Sequence, residues 1–570
     1  MNARGRMEKL EQSLGDPADP GSPLGFAAIL AADERAEMFA EGERALDAYG
    51  LNAEFVPPEY GGRLTRLDDL AEIMQSVYRR DPCLGLGYGT SSFIAAVNVW
   101  TSADDEHRRT VAGLLLGNRR VASAYHELAH GNDMGRTEFE AMPGRGGLVL
   151  NGRKEVVTNI QRADALVMFA RTDRRQGSRS HSQILVEKEG LAEGGLRYLP
   201  RFPSVGMRGV QLGGVEFRDC LIPGDSVLGT AGHGLEVAMR SFQITRTLLP
   251  AMMVGILDTG LRTAVGHALS RRLYGGVAAD LPEVRSTLVG AFADLLACDC
   301  FGLVCARALH LLPRQTSVLA AAAKYAMSGV MSEAMHRLSI VLGAQSYLRE
   351  GENGIFQKLM RDLLPVGFGH AARAACQMTI LPQLPMLARR SWSTADPAPA
   401  GLFRQDADLP PVPFAQLSVT AGGQDSLSAG LAGVLEATSA GADRDERRVR
   451  DLAGRFLAEL RELTETCADL PPGERTFAAG SDAYDLASRY TAVLMAAACL
   501  ETWRHNRDDP FLGNPAWLIA ALGRHAGRLD GRTPELPEDV EKTLYAELLD
   551  RHEKGVSFGL SSRRFAGGSR

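Results

Sequence analysis

An excess of basic residues is missing: 63 Lys and Arg stand against 69 Asp and Glu, giving a net charge of −6 and a pI near 6.1. A surface of that sign does not track a phosphate backbone, so nucleic acid is excluded as the main partner. Paired cysteines are missing as well. Cys83, Cys220, Cys298, Cys300, Cys305, Cys376, Cys467 and Cys499 form no Cys-x-x-Cys pair, and most fall in apolar helical stretches. Reduced, buried thiols are therefore expected, with neither a metal site nor a disulfide framework. The first residues, MNARGRMEKLEQSLGDPADPGSP, lack an apolar signal core, and residues 1–24 are expected to be disordered. No apolar run is expected to reach bilayer-spanning length, because charge breaks the alanine-rich stretches. No membrane partner is expected, and the cytoplasm is the default compartment.

What is present is ordinary globular material, 45% hydrophobic and 23% charged over 570 residues, enough for two to four cores. Apolar residues recur at three- and four-residue spacing over about 25–117, in FAAILAADERAEMFAEGERALDAYG and LDDLAEIMQSVYRR. The period changes over about 118–230. VASAYHEL, GLVLNGRKEVVTN, ADALVMFART, SQILVEK and VQLGGVEFRDCLI are short apolar or β-branched runs parted by Gly, Asp and Asn, so a β-domain is expected there. Helical spacing returns over about 231–390. A Pro- and Ala-rich stretch from Ser391 reads as a linker, 391–410, and a further helical domain is expected over 411–570, ending in a disordered SSRRFAGGSR tail.

Five segments carry chemistry in this order: Phe55-Val-Pro-Pro-Glu-Tyr-Gly-Gly62; Tyr125-His-Glu-Leu-Ala-His-Gly-Asn-Asp133; Asn151-Gly-Arg-Lys-Glu-Val-Val-Thr-Asn159; Val205 to Gly229; and Gln357-Lys-Leu-Met-Arg-Asp362. Together they resemble the acyl-CoA dehydrogenase family over about residues 25–390. The resemblance implies an α+β fold: an N-terminal helical domain, a central β-barrel-like domain and a C-terminal four-helix bundle. It also implies FAD as cofactor and an acyl thioester as substrate, carried on CoA or on an acyl carrier protein. Electrons would pass to an acceptor flavoprotein or to O2, and the assembly would be a homodimer or homotetramer.

By the same resemblance the flavin contacts fall on His126, Glu127, Gly131, Asn132 and Thr158, with Val156 where many members have a Trp. Such positions suit an isoalloxazine, which needs a flat slot and donors at its N5/O4 edge. Arg271 stands where the family sends an Arg to the FAD pyrophosphate of a partner subunit, and Thr245 and Arg246 stand near the substrate cavity. The usual carboxylate base is replaced at both family positions: nine residues after Arg361 lies His370, and the helical position is Thr245. Three alternatives follow. His370 is itself the base, as an imidazole titrating near ~6.5 allows; Glu350 or Glu352 swings in; or the chemistry is that of a flavin-dependent monooxygenase or oxidase, to which His126 and His130 point. A homologue that binds flavin but has lost the chemistry is the remaining reading.

Overall fold

The computed structural model describes residues 2–175, 177–369, 371–392, 396–437, 443–532 and 535–566. The chain divides into two compact units, one of Pro23–Arg66 and Asp81–Thr245, the other of Met1–Ser22, Leu67–Arg80 and Arg246–Arg570.

The first unit is built on a seven-stranded sheet. Its strands are β1 (Val121–Ala124), β2 (Glu140–Gly144), β3 (Gly147–Thr158), β4 (Ala165–Arg171), β5 (His181–Glu187), β6 (Leu196–Leu199) and β7 (Leu212–Ile222). They run in the order β1-β4-β2-β3-β7-β6, with β5 paired to β4. Alternation along β3 and β7 sends Leu148, Leu150, Val157, Val215 and Phe217 into one core with Leu166 and Met168 of β4. Register shifts between Leu150 and Gly152, and between Lys154 and Val157, bend β3 as bulges do. The turn FVPPEYGG closes so tightly that a Cβ at Gly62 would stand 1.8 Å from the Val56 carbonyl oxygen.

The second unit is helical. Its centre is the helix Pro282–Leu311, buried almost throughout, which packs against Thr316–Leu342, Ser481–His505, Pro515–Leu529, Glu538–Glu553 and Leu67–Tyr78. A helix apolar on every side needs more cover than a four-helix bundle offers. The region 411–570 therefore shares one core with the bundle and is not the separate domain that the sequence suggested.

Four further expectations are corrected. Residues 3–14 are a helix, capped by the Asn2 side chain and burying Met7, Leu10 and Leu14. It is held because its buried Glu11 pairs with Arg80 at 3.0 Å and Arg79 at 3.3 Å. The expected linker is packed: Leu402 and Phe403 are buried, and Arg307 Nε donates to the Gly401 carbonyl at 3.0 Å. Its residues 393–395 lie outside the described ones. The expected tail docks through its first residues, with Arg79 3.4 Å from the Phe565 ring centre and Arg563 donating to the Glu72 carbonyl and Gln75 Oε1; its residues 567–570 lie outside the described ones. Finally, two helices, Gly234–Ser270 and Pro282–Leu311, are long and apolar enough to cross a membrane by length and composition. Their most apolar windows are 89% and 100% buried, as core helices are.

Candidate functional site

The sheet unit gathers the motif residues around the chain leaving β1. After β1 the chain passes through Tyr125 and then bridges to β3, His126 opposite Val156. The bridge is fixed from within by an ion pair. Lys154 is fully buried and points inward from β3, its Nζ 2.7 Å from Glu127 Oε1 and 3.0 Å from the Tyr125 carbonyl. Glu127 also accepts the backbone N–H groups of Glu138 at 2.9 Å and Phe139 at 3.2 Å. Burial pushes the Lys154 amine down to about 8 although Glu127 opposes it. Burial raises the Glu127 carboxyl, but Lys154 and the two N–H donors outweigh that and hold it below its ordinary value. Glu127 thus spends its acceptors on protein groups and shapes the loop from behind.

The loop beyond it is open. Gly131 has φ +53° with nothing within 4 Å of where a Cβ would stand, a conformation favouring glycine. Asn132 is exposed. His126 is half-buried, its Nδ1 3.4 Å from the Gly131 carbonyl, and burial keeps its pKa below the usual imidazole value. His130 is turned away, its Nε2 3.1 Å from Glu138 Oε1. Thr158 closes β3 on the same outward face as Arg153, half-buried. Among the described residues its hydroxyl makes no hydrogen bond. The next residue, Asn159, has φ +60° and donates to Ser91 Oγ at 2.9 Å and to the Gly87 carbonyl, tying the strand end to the π-helical turn Gly85–Thr90.

Beneath the bridge lies a buried aromatic stack. Tyr125 packs on Phe169 at 5.8 Å between ring centres, and Phe169 on His181 at 5.1 Å. Tyr125 and Ser241 both donate to Asn98 Oδ1, at 2.7 and 2.5 Å. The sequence reading missed this network and Lys154; a lysine on the face of β3 that also carries Leu148 and Leu150 was the one signal available.

The other site residues belong to the helical unit or to its boundary. Thr245 is buried, and its hydroxyl donates to the Phe242 carbonyl of its own helix at 3.3 Å. Arg246 Nη1 donates to Thr379 Oγ1 at 3.1 Å, and burial lowers its pKa. Lys324, which the sequence reading did not single out, is 1% exposed. Its Nζ donates to the Gly369 carbonyl at 2.9 Å, and burial pushes its pKa down to about 8. A lysine inside LAAAAKYAMSG marks such a position. The motif Gln357–Asp362 lies on the helix Ile355–Leu363, with Lys358 and Asp362 paired at 2.5 Å in its buried face. His370 lies outside the described residues. Glu350 and Glu352 are exposed. Arg271 is exposed just past the helix Gly234–Ser270, its N–H bonded to the His267 carbonyl at 2.9 Å.

Known proteins match this arrangement. The acyl-CoA dehydrogenase middle domain matches residues 122–220 and its C-terminal domain residues 232–369. Human mitochondrial short-chain specific acyl-CoA dehydrogenase is 29% identical over 329 residues, 56% of this chain and 78% of its own. Mitochondrial isovaleryl-CoA dehydrogenase of Oryza sativa subsp. japonica is 26% identical, with the same coverage of 56% and 78%. Among solved structures, a glutaryl-coenzyme A dehydrogenase in complex with glutaryl-CoA superposes with a TM-score of 0.60 at 19% identity, over 67% of this chain and 95% of that one. The prolyl acyl carrier protein oxidase AnaB gives 0.60 at 20% identity, over 66% and 97%. With both domain matches in chain order on a sheet followed by a helical bundle, residues 122–369 carry the middle and C-terminal domains of the acyl-CoA dehydrogenase family.

Proposed function

We propose that the chain is an FAD-dependent oxidoreductase that dehydrogenates an acyl thioester between Cα and Cβ, the acyl group riding on CoA or on a carrier protein. The observation that carries this reading is the pinned bridge between His126 and Val156. The buried Lys154–Glu127 pair sets the loop on β3, and the outward face beside it offers what a flavin needs. The fit is good: open space at Gly131, a Thr158 hydroxyl without a protein acceptor among the described residues, and a small Val156 beside it. Thr158, His126, Gly131 and Asn132 would hold the ring and ribityl chain, with Glu127 behind them. In a homodimer or homotetramer the exposed Arg271 would reach the pyrophosphate of the partner's cofactor. FAD, when bound, supplies the acceptor for the hydride leaving Cβ. His370 would take the α-proton, and Lys324 would steady the backbone just before it by holding the Gly369 carbonyl. Electrons would leave to an acceptor flavoprotein or to O2.

The second reading, an oxidase or monooxygenase, draws on His126 alone, whose burial favours a neutral imidazole beside the loop; His130 is engaged by Glu138. Anaerobic mixing of flavin-loaded protein with acyl-CoA and acyl-carrier thioesters tests both. Bleaching of the visible flavin band supports dehydrogenation. Product formed only from reduced flavin and O2 replaces it with the second reading. A flavin spectrum that no thioester perturbs leaves a homologue without this chemistry.

A further inference from the structure

The outer face of β3, β6 and β7 carries a charge arrangement that the reaction does not use. Arg153, Glu216 and Arg197 lie side by side across the three strands in register. Arg153 Nε is 2.8 Å from Glu216 Oε1, Arg197 Nη2 2.7 Å from Oε2, and Arg218 Nη2 3.0 Å from Oε2. The three guanidiniums cover the carboxylate, whose side chain is 8% exposed, while their own are 52%, 60% and 68% exposed. Hydrogen bonds from Arg153, Arg197 and Arg218 hold the Glu216 carboxyl down at about 2. One carboxylate thus accepts from three arginines, whose guanidiniums stand outside it. Two nearby acids bond neutral donors, Asp219 the Asn151 amide and Glu155 the Leu128 N–H.

Each arginine keeps N–H groups that, among the described residues, have no protein acceptor. A guanidinium fork suits carboxylates and phosphates. Arginines at least half exposed on a sheet face suit the surface of another protein more than a single phosphate. Arg153 also shares its outward face with Thr158, five residues along β3. At the rise of a strand that is roughly 15 Å, a span that a flexible prosthetic arm bridges from a docked carrier.

We propose that Arg153, Arg197 and Arg218 form the docking site for an acidic acyl carrier protein, the charged complement that steers and registers such an encounter. This rests on the thioester reading above and names which carrier presents the substrate.

Fluorescence anisotropy of dye-labelled holo acyl carrier protein, titrated with flavin-loaded full-length protein, tests it. The expected result is saturable binding that weakens with added salt and is weakened about tenfold in the double variant Arg197→Gln/Arg218→Gln, which keeps the Arg153–Glu216 pair. Arg197→Lys/Arg218→Lys should recover most of the loss. Absence of binding by the unaltered protein overturns the proposal, as does a double variant that binds equally well. Displacement by free CoA that is lost in the double variant also overturns it, assigning the arginines to a nucleotide phosphate. Flavin bleaching by the pantetheine thioester of the same acyl group separates the two levels. If binding behaves as expected but no thioester bleaches the flavin, the reaction is wrong and the docking surface stands.

Discussion

Removing the Asp294 carboxylate should uncouple the C-terminal helices from the bundle core. Asp294, on Pro282–Leu311, is 1% exposed and accepts Arg524 Nη2 at 2.6 Å and Arg528 Nη2 at 2.8 Å from Pro515–Leu529. Arg524 Nε adds a third bond to its other oxygen at 2.8 Å. Burial raises the carboxyl, but Arg528 and Arg524 overwhelm it and hold it far below the carboxylate range. Arg524 has no room to swing into water. Its side chain is 8% exposed, and its Nη1 lies 2.7 Å from where a Cβ would stand on Gly290. Arg528 keeps Glu333 at 2.9 Å; among the described residues Arg524 keeps no other acid within ion-pair distance. Asp294→Ala therefore leaves one buried, uncompensated cation, a defect of about 3–5 kcal/mol. Asp294→Leu/Arg524→Met, which removes the charge with its partner, should recover more than half of that, because a buried pair and its apolar replacement are nearly equal in stability. Urea unfolding followed by tryptophan fluorescence reads this unit, since Trp392, Trp503 and Trp517 belong to it and Trp100 does not. A shift under about 1 kcal/mol for Asp294→Ala, or a double variant no better than the single one, would refute the argument.

Acid should weaken the same region. His525 is 3% exposed, and burial, reinforced by Arg528, pushes its pKa down to about 3. Its folded pKa lies below the unfolded value, so its contribution is whole above ~6.5 and shrinks as pH falls toward 3, by up to about 1.4 kcal/mol per unit. His525→Leu should flatten that slope between pH 6 and 4 in urea midpoints; an unchanged slope assigns it to other groups. Glu127→Gln should leave Lys154 without its countercharge and unseat the loop 126–132, lowering FAD retention about tenfold or more, as read by flavin absorbance after desalting. Equal flavin content in variant and parent would place the loop outside the cofactor site. His370→Ala should slow anaerobic flavin reduction by about 10²- to 10⁴-fold with little change in thioester affinity, and an unaltered rate would remove His370 as the base.

The sheet was legible because its signal is local. Period-two alternation in GLVLNGRKEVVTN and VQLGGVEFRDCLI, broken by Gly and Asp, needs no partner to be read, and β3 and β7 fall inside those runs. The helix at residues 3–14 was less legible, although Met7, Leu10 and Leu14 have helical spacing. Its polar composition hid it, because Arg79 and Arg80, which stabilise its buried Glu11, stand 68 and 69 residues away. The C-terminal segment follows the same rule. SSRRFAGGSR looks unstructured until Arg563 and Phe565 meet Gln75 and Arg79, and the Phe558 and Leu560 N–H groups meet Asp258 and Asp299 at 2.6 and 2.8 Å.

The same physics divides the site into a readable and an unreadable part. Gly131 and Thr158 were named through the motifs that resemble the family, and the backbone then gives one a positive φ and the other a strand end. Glu127 is different. Its motif position suggests a ligand contact, yet its two oxygens face Lys154, Glu138 N and Phe139 N, so its service to a cofactor is indirect. An acid's role is set by which cation the fold brings to it, and the fold brings Lys154 from 27 residues along the chain. A buried pair of this kind does little for net stability, since desolvation of both charges offsets their attraction. What it fixes is position: neither partner can leave without stranding the other. The bridge between His126 and Val156 is thereby held at one register against a bulged strand whose own ladder is interrupted at that point. A loop that must present Gly131 and Asn132 to a ligand while remaining open to it needs such an internal anchor, because its outer contacts are the ones left for the ligand to make.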